Sequence, residues 1–338
     1  MSDLISRRRF GIAATATGTL NIWPAVGPLR AAGFDATQAR VAIALRAAFQ
    51  SVAWIGAEAG IFKRQGIDVT FSTLEAGGPQ AVAGLVRGDW EFCHTGDLPV
   101  VQGVLRGEDP VLILTPTELH DGVFVMARSD ITKPEQLENG RVGAVDATGQ
   151  LGRAVQALLK QWNVSATLVS LGSFQAIYAA LAAKRVDAGY LPVDLRFLGE
   201  NEFGWNALQG IKAGTGGIVT TRRLISANRE LVSQFVKGFV EAIALFKTQP
   251  GVVVPLLQRF LQISDRKSIE QLHAFYVPLF KVVPRPTFFS EMPKLKDIVS
   301  RQYPTVANLR PQDLCDPSFV DELDGLGYIQ SLYSKQTK

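Results

Sequence analysis

Between residues 41 and 191 short apolar runs alternate with helical periods, and that alternation limits the fold more than any other feature. Residues 41–45, 67–73, 90–94 and 111–115 read as strands. Between them, 52–64, 79–87 and 98–106 read as helices, the second with Ala81, Val82, Leu85 and Val86 on one face. The rhythm restarts further on. Residues 122–127 are extended, Lys133-Pro134 opens a short helix that stops at Gly140, and 141–145 is a strand. Residues 149–162 carry Leu151, Val155, Leu158, Leu159 and Trp162 on one helical face; strands at 166–171 and 186–191 flank a helix at 174–184. Strand and helix in alternation require a mostly parallel sheet covered on both faces. The segment 199–217 is glycine-rich and polar-mixed. From about 228 the chain is mainly helical: Asn228 is placed to cap a helix through Leu231, Phe235, Phe239 and Ile243, and Pro250-Gly251 break it. Further helices are expected to about 262, at 266–276 and at 291–300, with a globular end near 333.

The first 32 residues read as an export signal. Ser6-Arg7-Arg8-Arg9-Phe10 precedes a mildly apolar run from Gly11 to Trp23 and small residues at Ala31-Ala32. Paired arginines in that setting resemble the twin-arginine signal, which places the rest in the periplasm. The run, about 13 residues, is short of the roughly 20 that span a bilayer. The signal holds four arginines and one acid, leaving 31 basic and 30 acidic residues beyond it. The overall charge of +4 therefore belongs to the leader and gives no footing for nucleic acid. The oxidising compartment permits Cys93 and Cys315 to pair, and a chain this long does not require it. His94, His120 and His273 lack zinc-ligand spacing, so no metal or other cofactor is expected.

In an open α/β sheet, ligands bind beyond the carboxyl ends of the strands, where helices begin. Helix starts there carry unpaired N–H groups and partial positive charge, which suits anions. Five stretches fit: Phe49-Gln50-Ser51, Ala76-Gly77-Gly78-Pro79-Gln80, Thr95-Gly96-Asp97, Thr148-Gly149-Gln150, and Leu191-Pro192-Val193-Asp194. Phe49, Phe174, Tyr190 and Phe197 are candidate aromatic walls. Arg46, Arg153 and Arg196 are the nearest cations for a carboxylate or sulfonate, with Asp194 and Glu200 as competing partners of Arg196. A His94–Asp97 or His120–Asp121 pair offers acid/base chemistry. The sequence also echoes itself: Gly78-Pro79-Gln80-Ala81-Val82 and Gly172-Ser173-Phe174-Gln175-Ala176 each lead a helix, then a strand, then an aspartate.

Several of these residues carry a family resemblance. Glu58-Ala59-Gly60-Ile61-Phe62-Lys63 with Gly66-Ile67-Asp68-Val69 resembles the opening of periplasmic solute-binding proteins that serve importers of nitrate, sulfonates, taurine and pyrimidine precursors. Gly77 to Gln80, Leu85 to Asp89, Ser129 to Ile131, Leu137 to Gly143 and Leu181 to Gly189 follow in order. The resemblance implies a two-lobe periplasmic-binding-protein fold of type II, each lobe a mostly parallel sheet flanked by helices, with a mainly helical C-terminal tail. Lobe I would comprise 38–121 and 218–338 and lobe II 122–217, with crossings near 120–124 and 214–220 that hinge at Asp121-Gly122 and Gly214 to Gly217. It implies a monomer that captures a small organic anion, without catalysis, and delivers it to the permease of an ABC importer. A synthase- or decarboxylase-like enzyme on the same fold is the alternative, although the synthase relatives use a cysteine-rich stretch and this chain has two cysteines. A ligand-sensing partner of a membrane receptor would use the same cleft. Tyr190-Leu191-Pro192-Val193-Asp194 departs from the aromatic-Glu-Pro stretch common in relatives.

Overall fold

The computed structural model describes residues 38–74, 77–117, 120–148, 150–213, 216–287 and 303–334, all within one unit, Phe34–Lys338. The expected export signal, the expected helix at 291–300, Ala76, Gly149 and Gly214-Thr215 lie outside the described residues.

Two five-stranded sheets follow one plan. The first contains β1 (Gln38–Ile43), β2 (Asp68–Thr73), β3 (Phe92–Thr95), β4 (Pro110–Leu114) and β10 (Gly217–Thr221), in the order β2-β1-β3-β10-β4. The second contains β5 (His120–Ala127), β6 (Arg141–Ala144), β7 (Thr167–Ser170), β8 (Ala188–Pro192) and β9 (Asn206–Ala213), in the order β7-β6-β8-β5-β9. In each, one strand runs antiparallel to both neighbours, β10 in the first and β5 in the second. The other four share a direction, as the strand–helix alternation requires. The two opposed strands are those that follow the chain's passage between the sheets, after Leu114 and after Ala213. Both carry irregularities: the register shifts across Gly122 in β5 and between Ile218 and Val219 in β10. Such bulges bend a strand locally.

Helices cover both sheets. The first helical stretch is divided where a single helix was expected: α1 (Val52–Glu58) and α2 (Ile61–Arg64) are separated by Gly60, at φ 72°. That backbone suits glycine, and Gly66 at φ 80° makes the next corner into β2. Phe62 is buried between them, and Glu58 pairs with Arg259 at 2.6 Å. The most telling stretch of the family resemblance is therefore a packing corner. Helices α3 (Gly77–Arg87), α4 (Asp97–Leu105), α5 (Gln150–Gln161), α6 (Phe174–Ala182) and α7 (Val193–Phe203) follow strands. The internal echo is real structure: α3 leads to β3 and α6 to β8, each the third strand of its sheet.

Beyond β10 come α8 (Arg222–Ala227), α9 (Arg229–Thr248), α10 (Pro250–Leu261) and α11 (Arg266–Tyr276). Asn228 caps α9, its side chain accepting from the Leu231 N–H at 3.1 Å. Helix α9 returns to pack on α1 and α2, whereas α11 packs on α7 and on the turn after β1. Asn201 of α7 donates to Ser268 and Gln271 of α11 at 2.9 and 2.6 Å. Cys93 and Cys315 are both buried and free. Among the described residues no single helix is long and apolar enough to cross a membrane.

Candidate functional site

The carboxyl ends of β1 and β8 belong to different sheets, and the segments that follow them touch. After β1 the chain makes a 3-10 turn, Ala48–Gln50, and after β8 Pro192 leads straight into α7. The Ala48 N–H donates to Oδ2 of Asp194 at 3.2 Å. This bond joins the two strand edges that the sequence marks as ligand-facing.

The turn is held by its own side chains. Oε1 of Gln50 accepts from the Leu45 N–H at 2.9 Å, and the Ser51 hydroxyl donates to the Ala48 carbonyl at 2.6 Å. Both residues are buried, so these polar atoms build the turn. Phe49 projects from it and meets two imidazoles edge-on, His94 at 5.8 Å and His120 at 6.3 Å between ring centres. His94 also meets Phe239 of α9 edge-on, and His120 meets Phe275 and Tyr276 of α11. Tyr276 is buried and lies within the electrostatic reach of Asp194.

Beside His94 stand Thr95, Gly96 and Asp97, which link β3 to α4. Gly78 at the start of α3 packs against Thr95: a Cβ there would lie 2.6 Å from the Thr95 hydroxyl. Gly77, at φ 65°, approaches the Ala44 carbonyl, and Gly216, at φ 55°, approaches the Thr95 carbonyl. Gln80 lies on the first turn of the same helix, with an exposed side chain.

The second sheet supplies a polar cluster of its own. The Tyr190 hydroxyl accepts from the backbone N–H of Val145 at 2.7 Å and of Asp146 at 3.4 Å. Phe174 meets the Tyr190 ring edge-on at 6.0 Å. The Thr148 hydroxyl donates to Asp146 Oδ1 at 2.8 Å, and Gln150 begins α5. Thr148 is exposed, and no described hydrogen bond or ring contact ties it to the Phe49 turn. Tyr190→Phe leaves the Val145 N–H without its acceptor, an expected loss of about 1–3 kcal/mol. Urea unfolding checks this, and an unchanged midpoint would show that the hydroxyl holds nothing.

The candidate cations are engaged or exposed. Arg196 pairs with Glu200 at 2.7 Å and lies 4.3 Å over the Phe124 ring, which settles its choice of partner. Arg153 donates to the Thr148 carbonyl. Arg46 is exposed, its guanidinium 3.4 Å from the Phe260 carbonyl. Phe197 is buried beside Phe275. Burial also fixes the charge of the central groups. Desolvation pushes the Asp194 carboxyl up to about 7, against the Ala48 N–H, which lowers it. The same cause pushes the His94 imidazole down to about 3, so it is neutral.

Sequence reasoning did not find Tyr276, Phe275 or Phe239. Their helical spacing reads as ordinary core, and only the packing of α9 and α11 brings them to the Phe49 turn. Among the described residues no group of three His, Cys, Asp or Glu is placed to hold a metal ion.

Two sheets of one plan, joined by two passages and meeting at their strand ends, define the periplasmic-binding-protein fold. The family model described as NMT1/THI5 like matches residues 52–251, and the chain belongs to that family. No curated protein matches it in sequence. Solved structures share the fold at low identity. The periplasmic aliphatic sulphonate binding protein SsuA from Escherichia coli is 17% identical with a TM-score of 0.59, covering 78% of this chain and 87% of its own. The alkanesulfonate-binding protein SsuA from Xanthomonas axonopodis pv. citri, bound to MOPS, is 16% identical with a TM-score of 0.59, over 82% and 96%. A DszB variant in complex with biphenyl-2-sulfinic acid is 16% identical with a TM-score of 0.66, over 86% and 100%.

Proposed function

We propose that this chain is the extracytoplasmic solute-binding component of an ABC importer, taking a small organic solute between its two sheets without transforming it. The observation that carries the reading is the meeting of the carboxyl edges of the two sheets at the Ala48–Asp194 bond. Helix starts and buried polar side chains gather there, at the switch point where open α/β sheets hold ligands. The bulged strands β5 and β10 are the hinge about which the sheets close on the solute. The twin-arginine-like leader would deliver the folded protein to the periplasm, where a permease receives the loaded form. The relatives bound to MOPS and to a sulfinic acid support a small organic solute as the cargo class. No described triad of nucleophile, base and acid supports turnover: the His94 ring has no hydrogen-bond partner among the described residues, and both thiols are buried with their pKa raised.

A solute that binds only the folded form stabilises it by about 2.7 kcal/mol at a hundredfold excess over its dissociation constant. A thermal-shift screen of sulfonates, carboxylates, amines, amides and nitrogen heterocycles is therefore expected to give saturable hits. Conversion of a hit to product by the purified protein, followed by mass spectrometry, would replace this reading with an enzymatic one.

A further inference from the structure

We infer that the solute presents an N–H donor, an amine, amide or ring N–H, to Asp194, and that this residue selects such solutes over simple sulfonates and carboxylates. The inference rests on the solute-binding reading and concerns which chemistry the same site accepts. Oδ2 of Asp194 is bonded to the Ala48 N–H, whereas Oδ1 is buried and has no hydrogen-bond partner among the described residues. An unmatched buried acceptor carries a desolvation cost that a donor from the solute would remove. The Thr95 hydroxyl and both nitrogens of His94 are also buried without partners among the described residues. Those groups offer further donors and acceptors, but no charge, because the imidazole is neutral.

Charge at the helix starts points the same way. An anion is favoured at a helix N-terminus because the first N–H groups are unpaired. At α4 and α7 those positions already carry acids of the chain itself, Asp97 and Asp194, both buried. A sulfonate brought to Asp194 would add negative charge beside a carboxyl in a desolvated place. Of the candidate cations, Arg196 pairs with Glu200 and Arg153 bonds a backbone carbonyl, whereas Arg46 and Lys212 are exposed to water, where their charge is screened. Above about pH 7, where the carboxyl is ionised, a donor meets a bond that is otherwise unmade and an anion meets repulsion.

The test compares probes on the full mature protein by thermal shift and calorimetric titration at pH 8. The panel is several hundred small solutes, divided into those with an amine, amide or ring N–H and those whose polar groups are sulfonate or carboxylate alone. The expected result is that the hits carry an N–H donor, and that Asp194→Asn and Asp194→Ala each weaken the amine hits at least tenfold while circular dichroism keeps its folded signature. Hits confined to donor-free sulfonates or carboxylates would overturn the inference and leave the solute-binding reading standing. Amine hits that bind both variants as tightly as the parent would overturn it too, since Asp194 would then select nothing. No hit in any class would overturn both readings. Should Asp194→Ala fail to fold, Asp194→Asn, which keeps the shape and the Ala48 bond, decides the outcome.

Discussion

Asp194→Asn is expected to make stability climb with pH between 4 and 6.5 distinctly more steeply than it does in the parent protein. Two buried groups with opposite slopes set that difference. Asp194 holds its proton to about pH 7 in the fold, against an ordinary carboxyl value of 3.8. Between those values the folded state binds the extra proton. Its contribution is fully present below about pH 4 and is lost as pH rises through 7, at up to about 1.4 kcal/mol per pH unit. His94 does the opposite. It stays neutral down to about pH 3, whereas an ordinary imidazole protonates at 6.5. Between those values the unfolded state binds the extra proton, so this contribution is present above 6.5 and lost on acidification. Over the shared window the two slopes cancel. Removing the carboxyl exposes the histidine's rise, worth about 3 kcal/mol from pH 4 to 6.5 at the limiting slope. His94→Leu exposes the carboxyl's fall, so its curve tilts downward relative to the parent's as pH climbs from 4 to 6.5. His273, also pushed down by burial, is present in the parent and in both variants and drops out of the comparison. Urea unfolding at five pH values decides the matter: three parallel curves would mean that neither group is desolvated as described.

How much of this was written in the sequence depends on how local the cause is. Four of the first sheet's five strands were legible because each is a short apolar run closed by a turn signal; β10 was not, since residues 214–220 read as a crossing between the lobes. The corner at Gly60 and Gly66 was legible as a motif, although its φ values, not a ligand, explain it. Strand β9 was not legible. Asn206 to Ala213 has no alternation of apolar and polar residues, and it is a strand because β5 offers it a register from His120 to Ala127. Asp194 was found from its place after a strand. What makes it unusual, an N–H from the other sheet and burial of both oxygens, is a tertiary fact. His94 reads in sequence as an acid/base candidate beside Asp97, because sequence carries no sign that its ring is enclosed by Phe49 and Phe239. The engagement of Arg196 by Glu200 one helical turn on was one of two open choices, and packing over Phe124 favours it.

Phe235→Ala is expected to cost about 3–5 kcal/mol. Phe235 lies on α9 between two other rings. It stacks on Phe92 of β3 at 3.9 Å and on Phe62 of α2 at 5.2 Å, with interplanar angles of 9° and 21°. All three are essentially fully buried, so the methyl that replaces the ring has no solvent to fill the space. Relaxation is blocked on the helix side as well. Helix α9 already crosses α1 and α2 at glycines: a Cβ on Gly238 would lie 2.6 Å from the Phe62 ring, and one on Gly56 would lie 2.7 Å from the Ala242 methyl. Backbones in such contact cannot close further, so the void persists and its cost stays near the upper end of the range. Domains as a class are stable by only about 5–15 kcal/mol, and for a chain of this length the loss should lower the melting temperature by roughly 5–10 °C. It should do so without altering the solute's dissociation constant at temperatures where the variant is folded, because α9 reaches the Phe49 turn through Phe239 rather than Phe235. Leu326→Ala is the matched control: that side chain is 81% exposed, and its loss should stay within about 0.5 kcal/mol. Equal midpoints for the two variants in urea would mean that α9 is not the element that locks the C-terminal helices onto the first sheet.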